Sequence, residues 1–184
     1  MDKINSSYLK IESTEKIREY LENNNLKVLT LNGFLSKEYF DIIKNKVEAI
    51  KLTEEYFPLS HNYEVSELKE NELINLIKNY ISALLNKKVS KIEAFVKRIN
   101  HKNYTILSDK PEKKKIKLFL YIEKEIPSEA GGYHVFIKNE DSLTLMPEEN
   151  SLTIFIEDEA KDFIKYVDVR AKNSKNLFIE LILK

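Results

Sequence analysis

The sequence predicts one α+β domain in which three helices precede a two-sheet roll of about eight strands. Two observations predict it. The first half of the 184-residue chain carries apolar residues at helical spacing. From Lys91 onward the pattern changes to short β-rich runs at roughly ten-residue spacing, which fits a sandwich or barrel better than a βαβ sheet. A hydrophobic share of 42% supplies a core, and a charged share of 33% supplies a solvated surface without a disorder signature. The chain therefore reads as a single domain, 1–184, mainly helical with one strand over 1–88 and with a β core over 89–184.

The helices come first. Ser13 or Thr14 caps a helix that runs to the polar stop at Asn23–Asn25. Lys27–Leu31 reads as a strand closed by Asn32-Gly33. Ser36 caps a second helix, with Phe40, Ile43, Val47 and Ile50 on one face. Residues 51–64, with Pro58 in the middle, show no clean period and read as an extended connector. A third helix starts at Glu67 or Asn71 and ends at Asn86. Its stripe of Leu73, Leu76, Ile77, Tyr80, Ile81, Leu84 and Leu85 leaves Lys78 and Asn79 outside. The strands follow over 92–99, 104–107, 116–122, 132–138, 142–146, 151–157, 162–169 and 176–183, and the apolar helix faces pack on the outside of the roll.

Composition narrows the chemistry. The chain has no Cys, so disulfides, thiolate metal sites and a cysteine nucleophile are excluded. Gly33, Gly131 and Gly132 are the only glycines, too few for a P-loop or a Gly-rich dinucleotide fingerprint. No run approaches the roughly 20 apolar residues of a membrane span, and the polar start lacks the apolar core of a signal peptide. A cytoplasmic protein is expected. Thirty basic and thirty acidic side chains cancel, yet they are segregated. Residues 86–117 hold eleven Lys/Arg against three Asp/Glu, and residues 123–162 hold three Lys against eleven Asp/Glu. Lys113-Lys114-Lys115 would anchor a basic face for RNA or another anion. The opposing reading is complementary charge on neighbouring strands within the domain.

Candidate sites are few. No serine has the flanking glycines of a nucleophile elbow. His101, Asp109 and His134 make a conceivable facial triad for iron. His134, however, shares its strand face with Phe136 and reads as a partly buried, hydrogen-bonded structural residue. His61, in the connector, reads the same way. Gly131-Gly132 is the most informative local feature, because two of three glycines stand together before an alternating strand and permit positive φ or a close backbone approach. Pro147 closes one strand, and Asn150-Ser151 provides the turn that opens the next.

The order "NYTILSD", "GGYHVF", "MPEENSLTIF" and "DFIKYV" resembles the double-stranded β-helix of the 2-oxoglutarate/Fe(II) oxygenases, in particular the prolyl-hydroxylase-like group. The helix in "FLSKEYFDIIKNKV" resembles the lead-in helix of that group, and the likeness covers about residues 27–184. The resemblance implies a jelly-roll with an iron site at its open end and helices bracing the larger sheet. Aligning Tyr104 with the family's aromatic strand residue puts Ser108 at the first ligand His and Lys110 at the ligand Asp. Asp109 serves there only if the register slips by one. Asp162 falls at the second ligand His, and Lys175 at the basic residue that grips the distal carboxylate of 2-oxoglutarate. Arg170 lies earlier in the chain.

Ser, Lys and Asp thus stand where iron chemistry wants two neutral nitrogens and one carboxylate. A pairing of Lys110 with Asp162 would fill the vacated place. The leading reading is an oxygenase-like protein that has lost its iron and serves as a non-catalytic binding or scaffold protein for a protein or small molecule. The second is an active hydroxylase with a shifted ligand set, which would need Fe(II) and 2-oxoglutarate. The third is a jelly-roll module that binds RNA or protein through residues 86–117.

Overall fold

Apolar residues on both faces of a strand demand a layer on each side, and the central strands of this protein have that pattern. A computed structural model describes residues 2–106, 115–146 and 148–183. Its helices are α1 (Ile11–Asn23), α2 (Lys37–Glu48) and α3 (Asn71–Leu85). Its strands are β1 (Val28–Leu31), β2 (Thr53–Phe57), β3 (His61–Glu67), β4 (Ile92–Ile99), β5 (Tyr104–Thr105), β6 (Ile116–Lys124), β7 (His134–Lys138), β8 (Asp141–Leu145), β9 (Leu152–Ile156), β10 (Lys161–Ile164) and β11 (Asn176–Leu183). The large sheet runs β1-β9-β6-β11-β4-β3-β2, with β5 added on β3, and the small sheet runs β10-β7-β8. Every named strand pair is antiparallel. No helix among the described residues is long and apolar enough to cross a membrane.

The two faces of the large sheet serve different layers, as the two-residue period of a strand dictates. Leu118, Leu120 and Ile122 of β6 join Leu177, Ile179 and Leu181 of β11 against Ile43, Val47, Ile77, Ile81 and Leu84 of the helices. Phe119 and Tyr121 of β6, Phe155 of β9 and Phe178 of β11 point the other way and meet Phe136 and Ile164 of the small sheet. The helices therefore brace the outside of the larger sheet, as expected, and a second, aromatic core fills the roll.

Three expectations need correction. Residues 51–64 are not an extended connector. They hold β2 and the start of β3, an antiparallel hairpin with Thr53 opposite Val65 and Phe57 opposite His61. All five residues of β2 are exposed, so burial imposes no apolar alternation on its sequence and the strand is silent to pattern reading. The first helix starts at Ile11, with Lys10 rather than Ser13 or Thr14 at its N-cap; the Thr14 hydroxyl instead donates to Ile11 O within the helix. The strand expected over 162–169 stops at Ile164, and residues 169–171 form a 3-10 turn after Asp168, whose carboxylate accepts from the Arg170 backbone N–H. The end of the strand expected over 104–107 and Pro147 lie outside the described residues.

The glycine pair does what its position implied. Gly131 has φ +92° and Gly132 φ +71°, and Gly132 N–H donates to Lys165 O at 3.0 Å. A Cβ on Gly131 would stand 2.1 Å from the backbone oxygen of Tyr166. Gly131→Ala is expected to cost about 3 kcal/mol or more, from a left-handed backbone plus a backbone clash that no side chain can relieve. Urea unfolding checks it; a variant as stable as the parent would refute the packing described. Asn150 also meets its expectation. At φ +56° it takes a left-handed turn, and its side-chain amide pairs with both the N–H and C=O of Leu35, tying the roll to the segment before α2.

Candidate functional site

Charged residues at inward-facing positions of otherwise apolar strands define the site. In β6 the odd positions face the roll, and Lys117 takes the place before Phe119 and Tyr121. In β11 Glu180 follows Phe178 on the inward face, and in β4 Lys97 precedes the inward Ile99. Lys97 Nζ lies 2.5 Å from Glu180 Oε2, with their side chains 13% and 9% exposed. The same ammonium stands 4.5 Å from the centre of the Tyr63 ring. Lys117 Nζ lies 2.5 Å from Glu157 Oε1 and 2.7 Å from Asp162 Oδ1. Glu157 follows β9 in the large sheet and Asp162 belongs to β10 in the small sheet, so Lys117 ties the two sheets together.

Desolvation works against each of these charges, and the partners overcome it. Burial would lower Lys97, but Glu180 and Tyr63 raise it. Burial would likewise lower Lys117, but Asp162 and then Glu157 hold it well above the usual lysine range. Burial would raise Glu180, but Lys97 holds its carboxyl below the usual range. His134 has no such partner among the described residues. Its ring is 2% exposed and is ringed by Phe119 at 4.4 Å, Phe178 at 5.3 Å and Tyr121 at 5.8 Å between centroids, all edge-on. Neither ring nitrogen meets a hydrogen-bond partner among the described residues. Burial, only partly opposed by Asp162 and Glu180, lowers its pKa to about 4. The expectation of a partly buried, hydrogen-bonded His134 is therefore corrected: the ring is fully buried, and it sits neutral in an aromatic cage.

The expected site residues do not gather in one place. Asp162 is inside the roll, and its cation is Lys117. Ser108, Asp109 and Lys110 lie outside the described residues, and with them the proposed Lys110–Asp162 pair. Lys175 precedes β11 at its Asn176 end and pairs with Glu123 at 3.0 Å. Lys117 is in register with Ile182 near the other end of the same strand. Seven residues at about 3.3 Å each put the two lysines about 23 Å apart along the strand direction. Lys175 instead lines a surface cavity of about 720 Å³ with Arg98, His101 and Lys172. Tyr104, on β5, borders a smaller groove beside Tyr166 and Phe163. Arg170 forms a local ion pair with Asp168. His61 is hydrogen-bonded, to the Ser60 hydroxyl at 3.0 Å and the Glu55 carboxylate at 3.2 Å, and stacks on Tyr63.

The segregated charges pair in part as complementary strands. Lys117, from the basic stretch, holds Glu157 and Asp162 from the acidic one. Lys97 and Arg98 of that stretch pair outside it, with Glu180 and Glu64. Sequence reading missed Lys97, Lys117, Glu157 and Glu180. The available signal was a charge at an inward position of an apolar strand, which has meaning only once inward is known.

These two sheets, with helices on the larger, are the double-stranded β-helix of the prolyl hydroxylases and other 2-oxoglutarate/Fe(II) oxygenases. The chain superimposes on a prolyl-4-hydroxylase from Pseudomonas putida with a TM-score of 0.74 at 10% identity, covering 93% of this chain and 98% of that one. It matches a Trichoplax adhaerens prolyl hydroxylase, solved with a peptide of hypoxia inducible factor, with a TM-score of 0.71 at 13% identity over 94% and 91% of the two chains. A viral collagen prolyl hydroxylase from Paramecium Bursaria Chlorella virus-1, solved as a 2-oxoglutarate complex, gives 0.61 at 17% identity over 89% and 97%. No family model matches the sequence, and no curated protein matches it.

Such enzymes use Fe(II), so the donors around Asp162 can be tested for it. Its carboxylate is engaged by an ammonium, which repels a divalent cation. No group of three or more His, Cys, Asp or Glu side chains among the described residues is arranged to hold a metal. The described residues do not fit the ion.

Proposed function

We propose that this chain is a 2-oxoglutarate/Fe(II) oxygenase-like protein without the iron site, acting as a non-catalytic binding or scaffold protein for a protein or small-molecule partner. The observation that carries the reading is Lys117 Nζ, 2.7 Å from Asp162, the one described residue at a family ligand position. An ammonium held charged by two carboxylates is a poor neighbour for Fe(II), and Asp162 with its charge spent on Lys117 has little left to offer a metal. The test is an anaerobic titration of the wild-type protein with Fe(II) and 2-oxoglutarate. The expected result is no visible charge-transfer band. A band that saturates at micromolar ligand would replace this reading with that of an active hydroxylase.

A further inference from the structure

We propose that the outer edge of β8 pairs with β8 of a second copy of this chain, joining two small sheets into one six-stranded antiparallel sheet. The inference stands apart from the non-catalytic reading above. β8 ends the small sheet, and no described strand pairs with its other edge. Its first four residues are exposed. The direction of its backbone groups follows from the ladder. Lys165 N–H donates to Tyr133 O at 3.0 Å, so the odd-numbered residues along β7 turn their backbone groups toward β10 and the even-numbered ones toward β8. His134, Phe136 and Lys138 therefore bond to Leu145, Leu143 and Asp141, their register partners. The N–H and C=O groups of Ser142 and Thr144 point away from β7, a short row of donors and acceptors ready for another strand.

Charge and register select the occupant. β2, the exposed edge of the large sheet, carries Glu54 and Glu55, the kind of charge that guards an edge, whereas β8 has only Asp141 at one end. A two-fold axis through Leu143 sets Ser142 against Thr144 of the second copy, and each such pair exchanges two backbone hydrogen bonds. Leu143 meets Leu143 of the second copy as a non-hydrogen-bonded pair, where side chains approach closely. Asp141 falls opposite Leu145, so no charge in the strand meets its like. The chain's formal net charge is zero, and two copies do not repel at long range. Leu143, 37% exposed, lies opposite the buried Phe136 and continues its apolar face outward, and Met146 beyond the strand is 44% exposed. Pairing covers that face. One short strand per copy buries less than the roughly 1,200 Å² of a standard interface, so the dimer is weak, half-formed at about 10–100 μM.

The experiment is sedimentation equilibrium of the full chain at neutral pH, from about 1 to about 500 μM, a range that brackets the expected midpoint. The wild type should show a monomer–dimer equilibrium. Thr144→Pro deletes an outward N–H and spares the bonds to β7, and it should weaken the dimer at least about tenfold. Leu143→Lys and Leu143→Glu each set like charges across the axis and should do the same. Mixed in equal amounts, these two variants should associate again, because the register places residue 143 against its own copy. A wild type that stays monomeric throughout overturns the proposal. So does a dimer that survives all three substitutions, or a mixture that associates no better than its components. Should a charge variant fail to fold, Leu143→Cys decides. The chain has no cysteine of its own, and Cα atoms about 4.5 Å apart in a non-hydrogen-bonded pair suit a disulfide. Oxidised glutathione should convert Leu143→Cys to a covalent dimer and leave Tyr56→Cys, on the β2 edge, uncross-linked. Equal cross-linking of the two, or none of Leu143→Cys, counts against the pairing. None of these outcomes alters the Fe(II) titration, so the two readings fall separately.

Discussion

Glu180→Leu is expected to destabilise the protein by about 3–5 kcal/mol at pH 7, whereas Lys97→Met combined with Glu180→Leu should return to within about 1 kcal/mol of the wild type or exceed it. The single change leaves the Lys97 ammonium, only 13% exposed, without its counter-charge. The double change replaces both charges with apolar groups among Phe119, Phe178 and Tyr63 and leaves neither charge without its opposite. Urea unfolding of the two single variants and the double variant closes the cycle. A Glu180→Leu protein as stable as the wild type, or a double variant as weak as the single, would contradict the pairing. The acid limb supplies a further check. Lys97 holds the Glu180 carboxyl below its ordinary value. The pair therefore contributes its stability above the unfolded carboxyl pKa of about 4.5 and loses it as pH falls through the folded value. That dependence should be missing from the double variant.

The second large effect belongs to His134. Its folded pKa is about 4, against 6.5 for the free side chain. The unfolded chain therefore takes up a proton near pH 6.5 that the folded chain refuses until about pH 4. Stability is full above pH 6.5 and falls by about 3 kcal/mol as the pH drops to 4. His134→Leu removes that proton site and places an apolar group of similar size against Phe119, Phe136 and Phe178. The variant should equal or exceed the wild type at pH 7. Between pH 6.5 and pH 4 it should lose about 3 kcal/mol less than the wild type does. Urea unfolding at half-unit steps measures this. Parallel curves for the two proteins would show that His134 is not the buried neutral ring described.

The fold was legible because its evidence is local. Strand periods in 92–99, 116–122 and 176–183 match β4, β6 and β11 within two residues, since β6 and β11 are mostly buried and apolar on both faces and β4 buries Ala94, Val96 and Ile99. The helix stripe of α3 was legible for the same reason. The β2–β3 hairpin was not. Its exposed edge strand carries Thr53, Glu54 and Glu55 beside Tyr56 and Phe57, a mixture that no burial constraint organises. Of the candidate site, Asp162 was found through its place in the strand order, and the doubt about iron through the residues at 108, 110 and 162. Its partner was not found. Lys117 is separated from Asp162 by 44 intervening residues and belongs to another sheet, and nothing local marks it.

Residue order alone was enough for the helical half, the β half, the glycine pair at the strand entrance and the absence of a His-x-Asp triplet at the expected ligand positions. These are properties of dihedral preference, apolar period and residue identity, and each is carried within a few neighbours. Folding decided which charges face inward and which meet. Lys117 reaches Glu157 and Asp162, Lys97 reaches Glu180, and His134 meets no hydrogen-bond partner among the described residues. The physical reason is range. A strand's period says that alternate residues share a face, but only the closure of one sheet over another turns a face into a low-dielectric interior where a charge must find its opposite.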